Sequence, residues 1–431
     1  MRIEIKEISF FNSVFTNYFK ISKEITIQGI TTDSRLVQEN DLFIALNGSF
    51  VNGNSFNQDV LSIKNTLIIS EEAFKNDRIY TVESIDIFLK DLCQSWIKRA
   101  KAYKIAVTGS NGKTTVKELI HHLLLKNNLK VEKTEGNYNT SIGVPLSLFS
   151  FSLNSDYYIF EFGANQKGDI EKLTKMINPD YGFVTSIAEA HMEGFLDVEN
   201  IKNEKKKIIE FSKNGSFGPE KNIEAVSLKV KEVLKDSIFS SNHYLIYNMA
   251  LVVTILMEVL SINEKKLLNG LSDFSLPSGR GNIFEIIFRG KKIFIIDDSY
   301  NANPSSVQAA IKNFHLLKIK KINKKIFIFG DMKELGKNEK DFHASLGNLI
   351  DNKINYLLTI GDLAKETHVS ALNIPNKFHF DNQLDLYSEL INIIESNDVL
   401  LFKGSRSMNL NHIIEKLISE SRWVYVFRTF Y

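Results

Sequence analysis

Cysteine is almost missing: Cys93 stands alone among 431 residues. That excludes an intrachain disulfide and any metal centre built from cysteine thiolates, and a reducing, cytoplasmic setting is expected. Cys93 lies in the amphipathic run LKDLCQSWI, where a buried small apolar residue is a better reading than a nucleophile. No charge of one sign dominates either. The 53 basic and 51 acidic residues nearly cancel, so neither a nucleic-acid surface nor membrane insertion is expected. Long apolar runs are also lacking: the most apolar segment, Met249–Leu260, is too short to span a bilayer and reads as a buried helix. The N-terminal MRIEIKEISFFNSVF mixes acids with its apolar residues and has no small-residue cleavage site, so a signal peptide is not expected. A chain of this length, 43% hydrophobic and 24% charged, suits a globular protein of two or three domains.

The most informative stretch is KIAVTGSNGKTTVKEL, residues 104–119. A short apolar strand runs into a glycine-bounded loop, followed by a lysine, two threonines and a helix-forming run from Val116. Successive backbone N–H groups in such a loop form an anion cradle, and the helix N-terminus adds partial positive charge. Gly109 and Gly112 allow close approach of phosphate, with Ser110, Asn111 and Thr115 completing the loop. Lys113 is placed for the outer phosphates and Thr114 for Mg²⁺. The loop is a shortened one, G-x-x-G-K-T, with Val107 where the usual pattern has another glycine.

Around this loop the chain divides into three. Residues 1–85 mix short strands with turns and show no helix long enough to dominate. Ile85–Lys101 reads as a helix leading into the central part, 86–277. There, strands expected at Lys104–Thr108, Tyr157–Phe162 and Tyr181–Ser186 alternate with helices, as in a parallel sheet covered on both faces. Ligands of such sheets bind at the carboxyl ends of the strands. Polar residues gather there, at Thr108–Thr115, Glu161–Asn165 and Ala188–Glu193, and the Gly- and Asn-rich EGNYNTSIGVP belongs beside the same crevice. From 278 to 431 a second alternation follows, with strands expected at Lys292–Ile296, Lys325–Phe329, Tyr356–Ile360 and Val399–Phe402.

Several side chains sit where chemistry needs them. Glu161, at a strand's carboxyl end beside the loop, suits Mg²⁺, which takes few protein ligands besides phosphate oxygens. His191 follows the next strand directly. Lys205, Lys206 and Lys207 have the composition of a solvated helix face. Arg280, in a glycine-flanked linker, is placed to reach a transferring phosphoryl group. Asp297, Asp298 and Asn301 suit ribose hydroxyls or a base edge, or simply a turn. Asp33, Ser34 and Arg35 read equally well as a capped turn or as a bidentate anion site.

Taken together, the strings TDSR, LFIALNG, NGNSF, TGSNGKTT, GNYNTSIGVP, FEFGANQKGDI, AEAHMEGF, DDSYNANP, GDMKELG and KGSRS resemble the Mur ligase family, ATP-dependent amide-forming enzymes of peptidoglycan synthesis. They occur in family order and cover nearly the whole chain. DDSYNANP and FEFGAN resemble the dipeptide-adding branch, and the DNPR string of the diaminopimelate-adding branch is absent. The resemblance implies an α/β protein of three domains: a small mixed α/β domain for the UDP-sugar-peptide (1–85), a central P-loop parallel-sheet ATPase domain (86–277), and a C-terminal Rossmann-like α/β domain for further nucleotide contacts and the incoming dipeptide (278–431). It implies ATP and Mg²⁺ as cofactors, UDP-N-acetylmuramoyl-tripeptide and D-alanyl-D-alanine as substrates, and a monomer.

Residue by residue, the resemblance implies that 109–115 hold the phosphates, that Thr114 and Glu161 hold one Mg²⁺, and that His191 helps hold a second. It places a carbamylated lysine at Lys205; Lys207 stands where the family usually has a Glu, which leaves the choice among the three lysines open. Asn248 matches the adenine-side Asn, Arg280 the γ-phosphate Arg and Asp298 the ribose Asp, with Asn301 near the base. Ser34, Arg35, Asn137 and Asn139 are implied substrate contacts. Gly215–Ser240 replaces a much longer family stretch, so lost edge strands are expected in the central domain. Another amide ligase of the superfamily, a non-catalytic scaffold and a generic P-loop phosphotransferase are the rival readings.

Overall fold

A computed structural model describes residues 1–48, 51–189, 192–195, 197–214, 216–218 and 223–427. Among the described residues three sheets follow one another along the chain, of five, five and seven strands. The first runs in sequence order through Arg2–Glu4, Gly29–Thr31, Asp41–Ile44, Leu67–Ser70 and Ile79–Thr81, antiparallel only in its first pair. Beside it lies a helix, Ile8–Phe19, that the composition of residues 1–85 did not disclose. The run ISFFNSVFTNYF is poor in strong helix formers. Phe11 and Phe15, four residues apart on one face, are buried, and tertiary packing of that face rather than propensity sustains the helix. Phe15 meets Phe11, Phe19, Tyr80 and Phe88. Phe15→Ala is therefore expected to cost the N-terminal domain about 3–5 kcal/mol, read as a lowered denaturant midpoint for that part of the chain.

The central sheet is wholly parallel, in the spatial order Ser216–Phe217, Tyr181–Val184, Tyr103–Thr108, Tyr157–Glu161, Val131–Lys133. Its three middle strands fall where the apolar runs indicate. A two-residue strand, Ser216–Phe217, borders Gly182 and Phe183. The helix Lys113–Lys126 leaves the phosphate loop and packs against His243–Leu260. That second helix is longer than the expected Met249–Leu260, and by length and composition alone would cross a membrane. Leu245, Ile246 and every residue from Met249 to Leu256 are buried, which makes it a core helix surrounded by protein.

In the C-terminal sheet the order is Asn376–Phe380, Tyr356–Ile360, Lys325–Gly330, Val399–Lys403, Lys291–Asp298, Asn282–Phe288, Ser421–Val426, parallel up to Lys291–Asp298 and antiparallel beyond. One apolar cluster joins this domain to the centre. It takes in Leu251 and Ile255 of the core helix together with Phe294, Ile296, Val307 and Ile311.

Candidate active site

The three middle strands of the central sheet end at one level: Val107 is in register with Glu161 on one side and Phe183 on the other. The loop after Val107 is pinned to the end of the third strand. Ser110 N–H donates to the Ser186 carbonyl at 2.8 Å, Asn111 N–H to Ser186 Oγ at 2.9 Å, and Thr185 Oγ1 to the Asn111 carbonyl at 2.5 Å. Both glycines are required by geometry. A Cβ on Gly109 would lie 1.9 Å from Thr185 Oγ1, and Gly112, at φ +84°, would carry one 2.9 Å from Asn248 Nδ2. Asn248 thus lies against the loop. Lys113 opens the helix and folds back, its Nζ donating to the Gly109 and Ser110 carbonyls at 2.7 and 3.3 Å. Burial lowers its pKa from the ordinary lysine value, Glu161 opposes that shift and Arg280 adds to it. Thr115 is buried beneath the loop.

Glu161 is buried at its strand end. Oε1 accepts from Asn139 Nδ2 at 3.0 Å, whereas Oε2 is a buried carboxylate oxygen with no hydrogen-bond partner. Such an orphaned oxygen fits a cation, and one carboxylate beside a phosphate loop suits Mg²⁺, which keeps water and phosphate ligands. Among the described residues no three His, Cys, Asp or Glu side chains cluster for metal binding; His191 lies outside the described residues. Behind Glu161 stands Lys117, which the motif reading missed. It is fully buried, 3.9 Å from Oε2, and donates to the Thr134 and Gly136 carbonyls at 2.6 and 3.4 Å. It ties the helix after the loop to the segment carrying Asn137 and Asn139. No local signal marked it, because its partners lie 17 and 19 residues further along the chain.

The C-terminal domain reaches the same loop. Arg280 Nη2 donates to Thr114 Oγ1 at 3.3 Å, while its Nε is buried without a partner. Asn303, the N-cap of helix Pro304–Leu316, donates through Nδ2 to Asn111 Oδ1 at 2.8 Å, and Asn111 Nδ2 donates to Ser305 Oγ at 2.8 Å. The sequence reading chose Asn301 from this turn and passed over Asn303. Asp298 accepts from buried Lys403 at 2.7 Å, and the Asn301 carbonyl accepts from the same Nζ at 3.1 Å. Ser110 to Lys113 and Thr115 of the loop, with Glu161, Asn137, Asn139, Asn248, Arg280, Asp298 and Asn301, border one cleft of about 1390 Å³; Gly109 and Thr114 are not among its lining.

Of the three adjacent lysines only Lys205 turns inward. It is 2% exposed, and its pKa falls to about 7, chiefly through burial and then through the charge of Lys113, with Glu204 opposing. Lys207 faces out, bonded to Glu210 at 2.6 Å. Ser34 and Arg35 are not brought to the cleft. They form a short 3₁₀ turn, Ser34–Leu36, capped by Asp33, and the exposed Arg35 fork is held by the Asp33 carboxylate at 2.8 and 2.7 Å. That contact lowers the Asp33 pKa to about 2. Cys93 is buried, and burial raises its thiol pKa well above the ordinary value, as an inert core residue requires.

Comparison with known proteins agrees with this architecture. The Mur ligase middle domain model matches residues 107–232, and that of the Mur ligase, glutamate ligase domain matches 284–406. The UDP-N-acetylmuramoyl-tripeptide–D-alanyl-D-alanine ligase of Buchnera aphidicola (subsp. Baizongia pistaciae) is 31% identical over 96% of this chain and 98% of its own. The Bacillus subtilis protein of the same name is 29% identical over 92% and 94%. Among solved structures, MurF ligase from Thermotoga maritima in complex with ADP aligns with a TM-score of 0.74 and 28% identity, covering 91% of this chain and 97% of that one. MurF from Acinetobacter baumannii, 23% identical, shares the fold with a TM-score of 0.80 over 97% and 99%. With two domain models matched in order, and a relative this similar along almost its full length, the chain belongs to the Mur ligase family.

Proposed function

We propose that this protein is the ATP-dependent ligase that joins D-alanyl-D-alanine to UDP-N-acetylmuramoyl-tripeptide in peptidoglycan precursor synthesis. The observation that carries the reading is the phosphate loop held level with Glu161 at the carboxyl ends of the middle strands, with Arg280 of the next domain bonded to Thr114. The tripeptide carboxylate takes the γ-phosphoryl group of ATP and ADP leaves. The dipeptide amine then attacks the acyl carbon, loses a proton, and phosphate departs with the bonding electrons. A free carboxylate would have to expel oxide, so the phosphoryl step makes the amide accessible.

In this reading the N–H groups of 109–115 cradle the phosphates, and Lys113 and Arg280 offset the charge that builds up as two anions meet. Thr114 and Glu161 would hold Mg²⁺, with His191 and a carbamylated Lys205 at a second ion. The metal supplies charge neutralisation on the transferring group. Asn248, Asp298 and Asn301 are assigned to the nucleoside, Asn137 and Asn139 to the tripeptide beside Glu161, and Ser34 and Arg35 to the UDP-sugar end. Arg35 would have to exchange Asp33 for that ligand. We further assign residues 1–85, 86–277 and 278–431 to three domains of a cytoplasmic monomer, with neither nucleic acid nor membrane as partner.

The test is an amine panel. Purified protein with ATP, Mg²⁺ and the tripeptide nucleotide, in its diaminopimelate and lysine forms, should release phosphate with D-alanyl-D-alanine and not with single L-amino acids or glutamate. Release with a single amino acid alone would replace the reading by that of another amide ligase. Product mass would identify the tripeptide's third residue.

A further inference from the structure

Besides Arg280, three cations of the C-terminal domain border the cleft, and two of them are neutralised within the chain. Lys403 is paired with Asp298 at 2.7 Å, and Lys333 with Asp331 at 2.8 Å. The third, Arg406, has no acidic side chain within ion-pair distance among the described residues, although it borders the cleft and is exposed there. It is held by an aromatic face instead. Its guanidinium lies 4.9 Å from the Tyr300 ring centroid, and that of Arg280 lies 3.9 Å from the same centroid. Cation–π contact positions a guanidinium without consuming its hydrogen-bonding fork. Tyr300 therefore spaces two guanidinium groups. One, Arg280, touches Thr114 of the phosphate loop; the other comes from the turn Arg406–Met408 after the strand Val399–Lys403.

We propose that Arg406 receives the terminal carboxylate of the incoming dipeptide, with Tyr300 as its positioning residue. The assignment rests on the ligase reading above. The two centroid distances laid end to end limit the separation of the guanidinium carbons to about 9 Å, and an extended dipeptide measures about 7 Å from amine to carboxylate. With its amine at the acyl phosphate beside Arg280, D-alanyl-D-alanine brings its carboxylate to the Arg406 fork. The same arrangement fixes direction, because the carboxylate is drawn away from the phosphoryl groups and the amine is left facing them. Planar bidentate capture of a carboxylate is what an unpaired arginine fork suits best.

Steady-state kinetics with D-alanyl-D-alanine and with its C-terminal amide test the assignment. For the native protein the amide should lose about 10- to 100-fold in kcat/KM, the worth of a charge-assisted bidentate contact, with the KM for ATP unmoved. Arg406→Ala should lose a similar factor with the free acid, in the KM for the dipeptide, and should no longer distinguish acid from amide. Arg406→Lys should recover part of that loss. A variant that keeps the native preference for the acid, or that raises the KM for ATP instead, overturns the assignment while leaving the ligase reading intact. Native protein that joins neither compound overturns both.

Discussion

Lys113→Ala should reduce ATP-dependent ligation by at least a hundred- to thousandfold. Removing one preorganised donor from a developing oxyanion costs about that much, and charge-neutralising groups at transferring phosphoryls can be worth more. Lys113 is the first residue of the helix that follows the loop, and without ligand its Nζ rests on the Gly109 and Ser110 carbonyls. Those carbonyls can turn to water when the side chain is cut back, so thermal stability should change little while phosphate release collapses. Burial lowers this lysine's pKa, so its ammonium form is lost at lower pH than that of an ordinary lysine. The alkaline limb of the native activity profile should shift down accordingly. A non-catalytic scaffold would keep its biological role in the variant, and that result would remove the enzyme reading.

Lys205→Ala should be nearly as damaging, whereas Lys206→Ala and Lys207→Ala should stay within a few-fold of native. Carbon dioxide adds only to a neutral amine. With its pKa brought down to about 7 by burial and by Lys113, about half of Lys205 is neutral at neutral pH; an ordinary lysine has almost none in that form. As pH falls below 7 the amine is increasingly protonated and carbamate formation should fail. Activity of bicarbonate-depleted protein should therefore return on adding bicarbonate, and more completely at pH 8 than at pH 6. In the alanine variant a short carboxylic acid should restore part of the rate by placing an anion in the vacated space. Equal damage at Lys207, which faces solvent on Glu210, would contradict the assignment.

What the sequence disclosed, and what it hid, follows the range of the forces involved. The strand, loop and helix around 109–115 are legible because each is local: an apolar run, glycines at unusual φ and a helix N-terminus. The same holds for Glu161, whose place at a strand end is a matter of counting. Lys117 was not legible, since a buried lysine looks like any helix lysine until the Thr134 and Gly136 carbonyls are known to lie over it. Neither was the Asn303–Asn111 contact, which joins residues almost two hundred positions apart. The helix Ile8–Phe19 was hidden for a related reason: its stability resides in aromatic partners supplied by distant segments. Arg406 needed Tyr300 beneath it before its free fork meant anything.

The apolar cluster that runs from His243–Leu260 into Phe294, Ile296 and Val307 has a consequence for biosynthesis. A nascent chain that has reached only the end of the central domain has made its most apolar helix but not the strands and helix that complete the cluster around it. Until ribosomes deliver those later residues, that surface stays open to chaperones or to neighbouring chains. Fragments ending near Leu276 should therefore clump on expression, and translation pauses just beyond the core helix should be the costliest in yield.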